Sequence, residues 1–296
     1  MKPLVSVIVA TYRRYDPLYR ALLSIAKQTY SPIEIVLVND NAESEWNQKI
    51  RSLVDKFTEE YSDISLKYIE NSTNQGSAQS RNIGIRSSTG VYITFLDDDD
   101  IYLPAKIDNQ VSFMQEGGFD YSITNLNLYN ENEKLVDKRI RTYIHNSGKE
   151  SLLEIHLKYH LTGTDTLMFK KDYIVAIGGF PLINIGDEFY LMQRAIENNG
   201  RFGYLSCCDV KAYVHTGEGG LSSGAGKING ENVLYEHKRK YFDQISRKSV
   251  KYIKARHFAV IAYAYLRMHS WGKAFKNLCL GFITSPFLFC KILVER

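Results

Sequence analysis

Asp97-Asp98-Asp99-Asp100 is where this chain concentrates its chemistry. Two neighbouring carboxylates roughly 5 Å apart repel by about 3 kcal/mol at an effective dielectric of about 20. Four in succession therefore call for a compensating cation. The six residues before them, Val91 to Leu96, are uncharged and rich in β-branched and aromatic side chains, the pattern of a buried strand. If the chain stays extended for one more step, Asp97 and Asp99 point to one side and Asp98 and Asp100 to the other. One such pair suits a hard divalent ion, which prefers oxygen ligands. The plain alternative is a solvated acidic turn. The apolar strand favours a site, because ligands of open α/β sheets bind beyond the carboxyl ends of the strands.

Three further stretches carry candidate groups. Thr11 and Asp40 each close an apolar run, so both sit at the carboxyl end of an expected strand. Asp187-Glu188 opens a helical pattern just after a glycine-rich turn, where a carboxylate can project into a crevice; acids also suit any helix start because of its dipole. His215 ends a strand pattern and precedes the glycine-rich stretch Gly217 to Gly230, which reads as a mobile loop able to close over a ligand. A lone histidine is more often structural, and such a loop is more often plain surface.

The elements that must position these groups are legible as α/β alternation. Leu4 to Ala10 is apolar on both faces, as strands of a parallel sheet are. Asp16-Pro17 starts a helix with apolar positions at Leu18, Ala21, Leu22 and Ile25. Ile33 to Val38 is a second strand, which completes a βαβ unit. A helix over 44–61, a strand over 64–69 and a polar loop from Asn74 to Gly84 that enters another helix follow. Downstream, the pattern predicts a helix over 104–116, one strand over 121–129, and a hairpin or loop over 130–150. Further helices are expected over 151–161 and 187–198, with strands over 166–169, 202–205 and 210–214. From Glu231 onward the pattern is helical and basic. The carboxyl ends of parallel strands share one rim, so Thr11, Asp40 and the aspartate run are expected to meet in one crevice.

Five stretches together resemble family 2 glycosyltransferases. They are Val5-Ser-Val-Ile-Val-Ala-Thr-Tyr12, Gln28-Thr-Tyr30, Glu34-Ile-Val-Leu-Val-Asn-Asp40, Asn74-Gln-Gly-Ser-Ala-Gln-Ser-Arg-Asn82 and Phe95-Leu-Asp-Asp-Asp-Asp100. The resemblance is specific over residues 4–105, extends to about 216 and is absent after 240. It implies the GT-A fold, a Rossmann-like, mixed and mostly parallel sheet flanked by helices, over 1–230, with a helical C-terminal extension over 231–296. It also implies a nucleotide-sugar donor, with UDP preferred, a Mn²⁺ or Mg²⁺ ion, and inversion at the anomeric carbon. By position, Thr11 and Tyr12 would line the base pocket and Asp40 would bond the base. Asn74, Gly76 and Arg81 would belong to the donor site, Asp97 would contact the ribose, and Asp99 would hold the metal. Family members usually carry a small residue between those two carboxylates; this chain has Asp98, which is counted with the donor contacts. His215 matches a family histidine and would be a further metal or diphosphate ligand. The general base would be Glu188 or Asp187, with Glu188 preferred from its spacing to Arg194, although the family's acidic pair usually runs in the opposite order.

Composition excludes little but is consistent with this. Hydrophobic content of 44 % and charged content of 24 % are those of a globular protein, and a net charge of +4 does not suggest nucleic acid. The four cysteines lack zinc spacing and read as free thiols in a reducing compartment. Met1-Lys2-Pro3 leads straight into a strand, so no signal peptide is expected. Leu278 to Cys290 is uncharged and flanked by lysines, too short to span a bilayer. It is expected to lie at a membrane interface, to pair with a second copy, or to pack as core. A cytoplasmic enzyme, peripheral to the inner membrane face and acting on a saccharide or lipid-linked acceptor, is the setting implied by analogy. Two rivals are weighed. A nucleotidyltransferase would show a glycine-rich phosphate loop after the first strand, where this chain has Ala10-Thr-Tyr-Arg-Arg14. A non-enzymatic Ca²⁺-dependent sugar-binding module would leave Asp40 and Asp187-Glu188 without a role.

Overall fold

The computed structural model describes residues 1–145, 148–183, 186–214 and 224–294. The chain forms two compact units: Met1–Lys149 with Leu161–His215, and Glu150–His160 with Thr216–Arg296.

The first unit opens with the alternation the sequence predicts: β1 (Val5–Thr11), α1 (Asp16–Ala26), β2 (Ile33–Asn39), α2 (Ser44–Glu60), β3 (Ser65–Glu70), α3 (Ser77–Ser87) and β4 (Tyr92–Phe95). β5 (Ile101–Tyr102), α4 (Lys106–Gly117), β6 (Tyr121–Thr124), β7 (Leu126–Asn130) and β8 (Leu135–Arg139) follow. Helix α5 (Lys149–Tyr159) belongs almost wholly to the second unit; β9 (Leu167–Lys170), α6 (Lys171–Ala176), α7 (Asp187–Glu197), β10 (Phe202–Leu205) and β11 (Val210–Val214) complete the first.

Seven strands form the main sheet in the order β10-β6-β9-β4-β1-β2-β3. All neighbours in it are parallel except β9, which runs antiparallel to both β4 and β6. β1 and β2 are buried almost throughout, which is why they read as largely apolar runs, with Ser6 and Glu34 the polar exceptions near their starts. Helix α1 turns Leu18, Ala21, Leu22 and Ile25 inward, and α2 turns Ile50, Leu53, Val54 and Phe57. These stripes join Val5, Val7, Val9, Ile35 and Leu37 in one core.

A smaller sheet has the order β5-β11-β7-β8. The single strand expected over 121–129 is in fact two. The chain leaves the main sheet after Thr124 and enters the small one at Leu126, with Asn125 between them donating its N–H to Cys207 (2.9 Å). Alternating hydrophobicity continues across this switch, so the pattern alone did not reveal it. β7 and β8 form the hairpin that a polar 130–150 segment allowed.

The second unit contains α5, α8 (Gly224–Arg239), α9 (Arg247–Arg267), α10 (Trp271–Thr284) and α11 (Pro286–Val294). The boundary expected at residue 230 falls inside α8. The loop expected over Gly217 to Gly230 is helical from Gly224, and its earlier part lies outside the described residues. Ser246 caps α9 by accepting the N–H of Ser249 at 3.2 Å, and Glu154 of α5 accepts Ser246 Oγ at 2.6 Å. Ala255 and Ala259 of α9 pack on Phe289 and Ile292 of α11. At Gly281, a Cβ would lie 2.1 Å from a ring carbon of Phe289, so only glycine lets α10 and α11 approach this closely.

Candidate active site

The carboxyl ends of β1, β2 and β4 lie on one rim of the main sheet, as parallel pairing requires. β9 runs the other way, so its amino-terminal end reaches that same rim, and with it the short 3₁₀ turn Thr164–Thr166. The start of α7 arrives there too, because Asp187 bonds to Arg81 of α3.

The aspartate run does not stay extended. The N–H of Asp100 donates to the carbonyl of Asp97 (3.1 Å), closing a turn that sends the four carboxylates into different surroundings. The expected alternation, with Asp97 and Asp99 on one side, is replaced by this arrangement. Asp97 accepts the Arg81 guanidinium at 2.7 Å. Asp98 folds back onto the end of β1, accepting Thr11 Oγ1 at 2.8 Å and the Tyr12 N–H at 3.2 Å. Asp99 pairs with Arg14 at 2.9 Å. Asp100 is buried and accepts the N–H of Tyr213 at 2.8 Å.

Asp165, on the turn before β9, completes the group. Its carboxylate accepts the Asp97 N–H at 2.6 Å, and carboxylate oxygens of Asp97, Asp100 and Asp165 all lie within 4.8 Å of one another. Asp165 is 3 % exposed and Asp100 6 %. Burial pushes both carboxyls up, helped by the charge of Asp165 on Asp100 and by that of Asp97 on Asp165. Asp98 is raised to about 7, first by burial and then by Asp99, against the bonds from Thr11 and Tyr12 and the charge of Arg14. Lys106 of α4 lies below, fully buried, its amine donating to Thr94 Oγ1 (2.6 Å) and Tyr102 Oη (3.0 Å). Burial lowers it to about 7, although Asp165 pulls the other way.

Asp40, at the end of β2, is buried and commits its carboxylate to the loop after β3. Oδ1 accepts from Asn71 Nδ2 and the Gln75 N–H, each at 2.8 Å, and Oδ2 from the Gly76 N–H at 2.8 Å. Asn74 Nδ2 donates to the Asp40 carbonyl at 3.0 Å. Three donors on one carboxylate make Asp40 the organiser of the Asn74–Gly76 loop and of the start of α3, whatever it does toward a ligand. Gly76 takes φ +79°, a conformation other residues rarely adopt, and so turns the chain into α3. Tyr12 stands at the mouth, 45 % exposed.

Arg81 projects from α3 between Asp97 and Asp187, reaching the latter at 3.1 Å, and lies over the Phe180 ring at 5.4 Å. Burial disfavours its charge, yet the two carboxylates hold its pKa above the ordinary arginine value. Glu188 accepts the N–H of Gly163 at 2.6 Å. Burial raises the carboxyls of both Asp187 and Glu188, with Arg81 opposing and Asp97 adding to the rise. A base with an elevated pKa near a crevice is suited to accept a proton.

Most of the residues singled out in the sequence thus gather at one rim: Thr11, Tyr12, Asp40, Asn74, Gly76, Arg81, Asp97, Asp98, Asp99, Asp187 and Glu188. His215 lies outside the described residues. Two contributors escaped sequence reasoning. Arg14 follows the β1 rim and neutralises Asp99; a cation just past a strand end that faces an acidic run was its signal. Asp165 stands in Thr-Asp-Thr, and nothing local distinguishes it; only the antiparallel course of β9 brings it to this rim.

Comparison with known proteins agrees with this architecture. Residues 6–183 match the profile of glycosyl transferase family 2. An uncharacterized glycosyltransferase of Rickettsia bellii is 32 % identical over 239 residues, covering 80 % of this chain and 30 % of that protein. This chain therefore spans less than half the length of such relatives. A protein of Escherichia coli named UDP-Glc:alpha-D-GlcNAc-diphosphoundecaprenol beta-1,3-glucosyltransferase WfaP is 27 % identical over 232 residues, covering 78 % of this chain and 85 % of that one. Among solved structures, S. aureus TarS 1-349 in complex with UDP-GlcNAc superposes with a TM-score of 0.58 at 16 % identity, over 100 % of this chain and 91 % of that one. The mannosyltransferase PcManGT from Pyrobaculum calidifontis, in complex with GDP-Man and Mn²⁺, gives 0.61 at 21 % identity, over 94 % and 75 %. The fold is thus GT-A, and with the profile covering more than half of its length, the chain belongs to glycosyl transferase family 2.

Proposed function

We propose that this protein transfers a sugar from a nucleoside diphosphate, UDP in preference, to a saccharide or lipid-linked acceptor, with inversion at the anomeric carbon. The observation that carries this reading is the single turn at 97–100, which brings carboxylates, Arg14 and Arg81 to the rim that Glu188 also faces. Seven carboxyl groups (Asp97, Asp98, Asp99, Asp100, Asp165, Asp187 and Glu188) gather around two guanidinium groups. Negative charge is in excess of positive at this rim. Such an all-oxygen donor set fits a hard divalent cation. Asp99, 16 % exposed at its side chain, would hold it from the same turn as Asp97, whose carboxylate converges with those of Asp100 and Asp165. A bound Mn²⁺ or Mg²⁺ would neutralise charge developing on the departing diphosphate.

The chain's own residues have separable tasks. Tyr12 and the Asp40-anchored loop at Asn74–Gly76 flank the space for the base and ribose. Arg81 fixes Asp97 and Asp187 relative to each other, so donor-side and acceptor-side carboxylates keep one spacing. Glu188 would take the proton of the acceptor hydroxyl as the oxygen attacks the anomeric carbon from the face opposite the diphosphate. Asp187, bound to Arg81, would orient rather than accept. The lipid-linked acceptor is supported by the E. coli relative WfaP, named for a diphosphoundecaprenol-linked acceptor.

Calorimetric titration with UDP, GDP and dTDP in the presence of Mn²⁺ tests the reading. UDP should bind, excess EDTA should weaken it, and Asp99→Asn should weaken it roughly tenfold or more, the scale of losing one charge-assisted contact. Unchanged binding in EDTA and in Asp99→Asn would overturn the metal assignment, and absence of binding by all three nucleotides would overturn the donor class.

A further inference from the structure

The second unit carries an exposed surface none of whose residues belongs to the candidate site. Between Gln244 and Val294 the chain has nine lysines and arginines and no carboxylate. On α10, Trp271, Phe275 and Phe282 follow one another at spacings of four and seven residues, which places them on one helical face. They are 65 %, 68 % and 52 % exposed. Ile283 is 77 % exposed, and Phe287, in the first turn of α11, is 93 % exposed. The opposite stripe, Ala274 and Gly281, is buried against the neighbouring helices, so the exposed aromatics are not displaced core residues. Lys273, Lys276 and Lys291 are exposed on the same two helices.

We infer that the α10–α11 hairpin is a docking surface for an anionic lipid bilayer, into whose interface Trp271, Phe275, Phe282 and Phe287 insert while the lysines meet the headgroups. Neither helix is long and apolar enough to cross a membrane. A short, aromatic, lysine-flanked amphipathic segment is the form that lies in the interface instead. The charge decides between occupants. A second copy of this hairpin would bring like charges together, with no carboxylate on either side to pair them. An anionic surface attracts each nearby lysine or arginine. Exposed aromatic area of this extent is unusual on a monomer without a partner. The inference does not depend on the proposed sugar transfer.

Vesicle flotation of the full chain tests it, with phosphatidylcholine alone and with about a third phosphatidylglycerol. The protein should float with the anionic vesicles and not with the neutral ones, and raised salt should reduce the effect. Phe275→Ser with Phe287→Ser should cut partitioning roughly tenfold or more, and both positions are exposed enough for the fold to persist, which circular dichroism checks. Lys273→Glu with Lys276→Glu should do the same for anionic vesicles. The chain has two tryptophans, so Trp46→Phe leaves Trp271 as the sole reporter, and its emission should shift to the blue on binding. Failure to float with anionic vesicles would overturn the inference. So would light scattering that gives twice the chain mass for the wild type and the monomer mass for the phenylalanine double variant, because a second copy would then cover this face. Either result leaves UDP binding, and with it the transferase reading, untouched.

Discussion

At the scale of single residues, what separates the acidic groups is their partners, not their positions in the chain. Glu188 is held by one backbone N–H from Gly163, while Asp187 is held by Arg81. Glu188→Gln is therefore expected to lower turnover by roughly 10²–10⁴ with UDP affinity nearly intact, as for loss of a general base. Asp187→Asn should retain most turnover but loosen Arg81. Equal loss in both, or an NMR-determined product that keeps the donor's anomeric configuration, would remove the single-displacement assignment. Lys106 offers a pH test. It titrates near 7 when folded and near 10.5 when unfolded. Between these values the unfolded chain binds the extra proton, so stability rises with pH; below about 7 the full cost of a buried ammonium is present. Lys106→Met should thus stabilise the protein more at about pH 6 than at about pH 9, measured by urea unfolding at both. Thr94 and Tyr102 still donate to Leu167 and Phe95 carbonyls in that variant, so no buried hydroxyl is stranded. The acidic run was legible in the sequence because four like charges at a strand end demand an explanation. The distribution of those charges was not, since it depends on a turn and on Asp165, which is distant in the chain.

At the scale of elements, the βαβ succession from β1 to β4 was readable because both faces of each central strand are buried, which leaves apolar runs bounded by polar loops. The break at Asn125 was not readable, since both sheets ask for the same alternation. Nor could the pattern show how the α3 helix is tied to the turn before α7. That tie is Asn82, buried on α3, which donates to the Phe180 carbonyl at 2.7 Å and accepts the Phe180 N–H at 2.9 Å. Through it, the ring under Arg81 is fixed relative to the helix that carries Arg81. Asn82→Leu leaves two buried backbone groups unpaired, at a cost on the order of 3 kcal/mol. The melting temperature should fall by roughly 6–12 °C. Donor affinity should fall with it, measured by titration with UDP well below the transition. A variant that melts as the wild type would show that the pair of bonds contributes nothing.

For the whole molecule, the arrangement of β9 has a consequence for the order in which the chain folds. β1, β2, β3 and β4 lie within the first 95 residues and are mutual neighbours. That half of the main sheet can form as soon as it has left the ribosome. β6 cannot join it then, because β9 stands between β6 and β4, and β9 begins at Leu167. β6 and β10 are thus expected to wait for a distant segment, and loop closure of that length slows pairing. Pulse-labelled hydrogen exchange during refolding should protect amides of β1 and β2 before those of β6 and β10. Simultaneous protection would mean that β9 docks as fast as the local βαβ units form. The strand that follows Asp165 into the sheet is then also the one on which β6 and β10 depend for their place. A nascent chain shorter than about 170 residues would carry the loops after β1, β2 and β4, yet would have no means of completing the charge cluster.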